Sequence, residues 1–311
     1  MTKEPLTFAQ YVLATGEEPV AGCCRLLLAY LAENCALLQD DEMDLDLAVH
    51  EARKNVKRMR AFLRLIRPVI GEPAFQRVNS QLQGSAHLLA PMRDQAVLIE
   101  TVANLRLETG LELSHFRHTL VLLTEAYQAT RADFVADAGR IPAILGIWQA
   151  VRDEILALPL GKGGWNALQP GFSRSYTRGR QRMFAAYAQP ANGELFHEWR
   201  KRVKDMWHQL EILAPAAPDT LLTEAEAYHQ LSSLLGDAHD LLVLRETILA
   251  AETVFNADPD IALLLTLAAT RQQQLENEAA HWGLKLYGAK PAAFVRRLGS
   301  FYRGWVETSQ S

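Results

Sequence analysis

The chain has 311 residues, 49% hydrophobic and 22% charged, with 18 Gly and 13 Pro, a globular composition that excludes collagen-like, low-complexity and wholly disordered chains. That length suits two ordinary domains or one large one, with a real core in either case. Lys and Arg total 32 against 36 Asp and Glu, and a net charge of −4 argues, as a total, against a general nucleic-acid or membrane-surface binder.

The first ten residues, MTKEPLTFAQ, lack the basic-then-apolar order of a secretory signal. No uncharged apolar run of about 18 residues occurs, so no membrane span is expected. A first helical stripe covers 20–38 and holds the three cysteines, Cys23, Cys24 and Cys35. Their odd number and the adjacent pair fit free thiols in a reducing cytoplasm better than disulfides. Over 49–67, Val49, Ala52, Val56, Met59, Leu63 and Ile66 form one face at helical spacing. Proline and glycine at Pro68, Gly71 and Pro73 predict a stop there. Stripes follow over 93–109, 112–137 and 141–157, with a break at Gly139.

Leu158 to Trp165 has three glycines in eight residues and reads as a linker between halves 1–160 and 161–311, together one domain. Further stripes cover 172–188, 196–213, 222–235, 239–254, 259–280 and 291–307, with breaks at Pro190–Gly193, Pro215–Pro218 and Asp258–Pro259. No β-hairpin signal stands out. The expected class is all-α.

The two halves share a repeat. Residues 50–68 read HEARKNVKRMRAFLRLIRP and residues 197–215 read HEWRKRVKDMWHQLEILAP. At an offset of 147, the identical positions include His50/His197, Glu51/Glu198, Arg53/Arg200, Lys54/Lys201, Val56/Val203, Lys57/Lys204, Met59/Met206 and Pro68/Pro215. After a one-residue slip, Arg93-Asp94 and its neighbours match His239-Asp240 and theirs. An internal duplication leaves such blocks in one order.

On a helix, His50, Arg53, Lys54, Lys57 and Arg64 share the side opposite the apolar stripe, and His197, Arg200, Lys201, Lys204 and His208 do the same. Like charges at this spacing repel by a few tenths of a kcal/mol per pair, so an anionic partner is expected. Segments 49–67 and 172–208 hold 15 Lys/Arg and 4 Asp/Glu, a balance of +11; the remainder holds 17 and 32, a balance of −15. Two strongly basic stretches therefore sit in an acidic chain. Before the second copy, FSRSYTRGRQRMFAAY contributes Arg174, Arg178, Arg180 and Arg182 with no acid among them.

The paired HExRKxxK helices, the YxRGR run and the RD/HD blocks resemble the CHAD domain family, the conserved histidine α-helical domain, over nearly the whole chain. The resemblance implies two helical-bundle halves, related by a pseudo-twofold duplication, around a basic central groove or pore that binds inorganic polyphosphate. It implies a stand-alone member, since no ExExK strand motif of the companion triphosphatase is present. It also implies a cytoplasmic place, with association with polyphosphate granules. The expected polyphosphate-binding residues are His50, Arg53, Lys54, Lys57, Arg60, Arg64 and Arg93, with His197, Arg200, Lys201, Lys204 and His208, and with Tyr176, Arg178, Arg180 and Arg182. Tyr176 also reads as a packing residue, and Arg93-Asp94 and His239-Asp240 as structural ion pairs. Glu51 and Glu198 read as stabilisers of helix N-termini.

Arginine forks and lysine point charges both suit a phosphate chain. Histidines among such cations are expected to have depressed pKa values and to gain protons as the anion binds. No metal or cofactor is expected. Lys54 and Lys201 stand where an HExxH motif needs its second histidine, His115 and His118 read as surface residues, and Gly161-Lys162-Gly163-Gly164 lacks the Walker A spacing. A non-enzymatic binder leads. The alternative is an enzyme acting on polyphosphate or phosphorylated substrates, with His50 or His197 as phosphoryl acceptor or general acid. Specific nucleic-acid binding is not expected, for want of a reading module or base-stacking aromatics.

Overall fold

The 3.6-residue apolar period becomes helix along almost the entire chain, as the computed structural model shows for residues 11–161 and 163–308. In order these are α1 (Pro19–Gln39), α2 (Leu45–Ile70), α3 (Glu72–Leu88), α4 (Ala90–Glu108), α5 (Arg117–Ala136), α6 (Arg140–Leu156), α7 (Trp165–Ala188), α8 (Gly193–Leu213), α9 (Pro218–Ala250), the single turn α10 (Glu252–Phe255), α11 (Ile261–Leu286) and α12 (Pro291–Thr308). A 3₁₀ turn, Ala214–Ala216, joins α8 to α9. No strand occurs among the described residues. The MTKEPLTFAQ segment and Lys162 of the expected linker lie outside them.

Several boundaries differ from the expectation, each for a local reason. α2 opens on an Asp44 carboxylate that accepts the Leu47 N–H, and it runs through Pro68 to Ile70. Near a helix end Pro68 forfeits little; the stop comes at Gly71, whose φ of 80° only glycine adopts freely. No apolar stripe is read over 72–88, the segment that forms α3. A narrow row of Ala74, Phe75, Val78 and Leu82 suffices to seat α3. α5 starts at Arg117 rather than 112, after Phe116 with φ 60°. His115 thus precedes the helix and bonds Asp260 at 3.0 Å. α7 already begins at Trp165 and contains Pro170. Stripes 222–235 and 239–254 merge into the single 33-residue α9.

The helix order recurs along the chain. α1 and α7 start 146 residues apart (19 and 165), α2 and α8 148 apart (45 and 193), and α3 and α9 146 apart (72 and 218). α3 and α4 together span the counterpart of α9. Pro91, two residues into α4, accounts for the joint. α1 packs on α2 as α7 packs on α8, while α2 and α8 meet each other at the centre of one continuous core. There Gln209 donates to the Ala61 carbonyl at 2.8 Å. α1 is long and apolar enough to cross a membrane by length and composition alone. It carries Arg25 and Glu33, however, and lays Val20, Cys23, Leu26 and Leu27 into the core.

Candidate polyanion-binding site

The crossing of α2 and α8 brings together the cations that the two copies share. Lys57 is exposed and Lys204 half-buried, and they occupy equivalent repeat positions. Partial desolvation, then Arg200 and Arg53, bring the Lys57 ammonium down to about 8. Burial, then Arg200 and Lys57, bring Lys204 down to about 6. Neither lysine has an ion-pair partner within 4 Å among the described residues.

Arg53 and Arg200 flank the lysines, and each faces the aspartate of its own repeat block. Arg53 donates from Nη2 to Asp94 at 3.1 Å and from Nη1 to the Ala86 carbonyl, at the C-terminal end of α3, at 3.0 Å. Arg200 lies across Gly236, where an added Cβ would come within 2.8 Å of its Nη2. Its charge is met by Asp240 and Asp237 of α9. The ion pairs expected within each block, Arg93–Asp94 and His239–Asp240, do not form among the described residues; Asp94 and Asp240 stand beside Arg53 and Arg200 instead.

The histidines lie at the ends of this cluster. Burial, then Arg93, lowers His50. His197 stacks on His239 with ring centroids 4.0 Å apart. Burial, then the neighbouring His239, Lys201 and Arg200, hold His197 near 3. Burial, then Arg200 and Lys201, hold His239 near 4. Lys54 and Lys201 bond Glu51 at 2.9 Å and Glu198 at 2.6 Å, so these glutamates pair with lysines rather than only tending helix ends. Arg93 forms a fork to Glu100 at 2.6 and 2.8 Å.

A second basic group continues from the crossing. Arg64 bonds Asp205 at 2.8 Å and ties α2 to α8, with Arg202 on the other oxygen at 2.8 Å. Arg60 reaches α3 through Asn79 at 3.1 Å, and burial followed by Arg64 brings it down to about 10. Arg174, Arg178 and Arg182 are exposed, one turn apart on α7. Desolvation, then Arg174, Arg202, Arg67 and Arg182, depress Arg178. Sequence reading passed over Arg67 and Arg202 in this group; their place in the basic segments was the available signal. At the α1–α7 offset the α7 arginines correspond to Leu28, Ala32 and Ala36, so this group occurs on one side only.

Three expected site residues are committed to contacts within the protein. Tyr176 is 0% exposed, donates to the Leu286 and Ala289 carbonyls at 3.1 and 3.0 Å, and stacks on Phe294. His208 is 3% exposed and bonds Glu211 at 3.0 Å. Arg180 donates to the Tyr287 carbonyl at 3.1 Å and lies over Phe184. Tyr176→Phe is therefore expected to cost about 1 kcal/mol of stability and leave anion affinity unchanged, as thermal denaturation and a binding titration will read.

The model of the CHAD domain matches residues 24–249. The crystal structure of the CHAD domain from the plant Ricinus communis is similar at TM-score 0.60 and 16% identity, covering 89% of this chain and 95% of that one. PptA from Streptomyces chartreusis is similar at TM-score 0.49 and 15% identity, covering 95% and 100%. No curated protein matches. At these identities the structural likeness concerns the fold alone.

Proposed function

The chain belongs to the CHAD domain family, and from that premise we propose that it is a non-enzymatic binder of inorganic polyphosphate, held along the basic groove where α2 crosses α8. The observation that carries this reading is the meeting of Lys57 and Lys204, one from each repeat, beside Arg53 and Arg200. Bringing four cations together is unfavourable unless an anion compensates them; desolvation first, and then these neighbouring cations, hold both lysines low. The α7 arginines extend the track for a polymer longer than the crossing. A polyphosphate chain, with about one negative charge per phosphate, matches such a row.

The paired HExRKxxK helices and the recurring helix order support an origin by internal duplication, with 1–160 and 161–311 as its two units. A cytoplasmic place beside polyphosphate granules belongs to the same reading. The expected result is saturable binding of long-chain polyphosphate whose affinity falls at least tenfold between roughly 50 and 200 mM salt. A flat salt response in a calorimetric titration overturns the electrostatic account. Phosphate release from polyphosphate by the pure protein with divalent metal would instead favour the enzyme, with His50 or His197 in the reaction. DNA or RNA competing on equal terms counts against polyphosphate as the ligand.

A further inference from the structure

Both repeats place a carboxylate where ligand phosphate is needed. Asp94 holds Arg53 at 3.1 Å while its own side chain stays 63% exposed. Asp240, on α9, faces Arg200, Lys57, Arg93 and Lys204 together, cations drawn from both halves. The two aspartates occupy matching positions of the repeat, 146 residues apart (94 and 240). Gly236 makes the second arrangement possible, since a side chain there would collide with the Arg200 guanidinium.

We propose that Asp94 and Asp240 are built-in competitors of the ligand, occupying the cations of the empty groove so that only an anion of many closely spaced charges displaces them. This rests on the polyphosphate reading above. A tethered carboxylate has a high effective concentration, so a single phosphate must outbid it with one or two charges. A polyphosphate chain engages Arg53, Lys57, Arg200 and Lys204 at once. Asp240 is poised to yield: burial pushes its carboxyl above the ordinary range even against four cations, so its charge is poorly solvated where it stands. The aspartates thereby set a threshold of chain length, a specificity against orthophosphate and short anions gained at the expense of affinity.

The test compares Asp94→Asn, Asp240→Asn and the double variant with the unaltered chain, titrated with orthophosphate, tripolyphosphate and long-chain polyphosphate. Expected is a gain of about fivefold to tenfold in affinity for the two short anions in the double variant, with less than about threefold for the long chain, so that discrimination shrinks. Unchanged or weakened binding of short anions overturns the proposal, because the aspartates would then position the arginines rather than compete. Asp94→Asn alone, at an exposed position, gives the same readout if the substitution at half-buried Asp240 fails to fold. Failure of the unaltered chain to bind long polyphosphate would refute the preceding reading instead, and a gain for short anions would still be measurable in the variants.

Discussion

Replacing Lys57 and Lys204 together with glutamate is expected to weaken long-chain polyphosphate binding by at least about a hundredfold while leaving the fold as stable as before. A hydrogen bond to a charged partner contributes about 1.5–3 kcal/mol, so losing two amounts to roughly 3–6 kcal/mol, or two to four decades of affinity. Reversed charge adds repulsion against the incoming phosphates. The fold should tolerate the change, since neither lysine has an ion-pair partner within 4 Å among the described residues and both crowd other cations. New carboxylates beside Arg53 and Arg200 relieve that crowding. Calorimetric titration with thermal melts checks both halves of the statement. Full affinity in the double variant would move the site away from the α2–α8 crossing. The single Lys→Gln changes should each cost about tenfold.

The same crossing marks what was legible in the sequence. Identical His, Arg and Lys positions at one spacing pointed to α2 and α8, and their shared apolar stripe implied that both pack inward. Depth was not legible. A helical wheel places Tyr176 and Arg180 on a face, but which neighbour covers that face depends on the junction of α11 and α12, more than 100 residues away along the chain. α3 escaped notice because burial of four side chains needs only a thin apolar row.

The mismatches between copies were more informative than they looked. At the 147 offset, Arg58 corresponds to Asp205 and Arg64 to Glu211. Arg64 bonds Asp205 across the crossing, and Arg58 and Glu211 both act on the His208 ring on the other side. The signs are exchanged between helices at both places: Arg64 meets Asp205 directly, while Arg58 and Glu211 act on the His208 ring in opposite senses. In sequence alone these positions read as lost equivalence.

Binding is also expected to take up protons, and the lysines rather than the histidines carry the effect. Empty, Lys204 titrates near 6. An anion in the groove raises it toward the ordinary lysine range, so between those limits the complex holds a proton that the free protein lacks. Affinity therefore rises as pH falls through 8 toward 6, by up to roughly tenfold per pH unit for one proton, and levels off below about 6, where Lys204 is already charged. Lys57, near 8 when empty, adds to the slope above that pH. His197 near 3 and His239 near 4, depressed as expected among these cations, are neutral throughout this window in the empty site and start further from it than the lysines do. Calorimetry at pH 7 in two buffers of different ionisation enthalpy counts the protons directly. About one per site is expected for the unaltered chain, and close to none for Lys204→Gln. Equal uptake by both proteins would return the pH response to His197 and His239, whose stacked rings would then have to gain a charge beside Lys201 and Arg200.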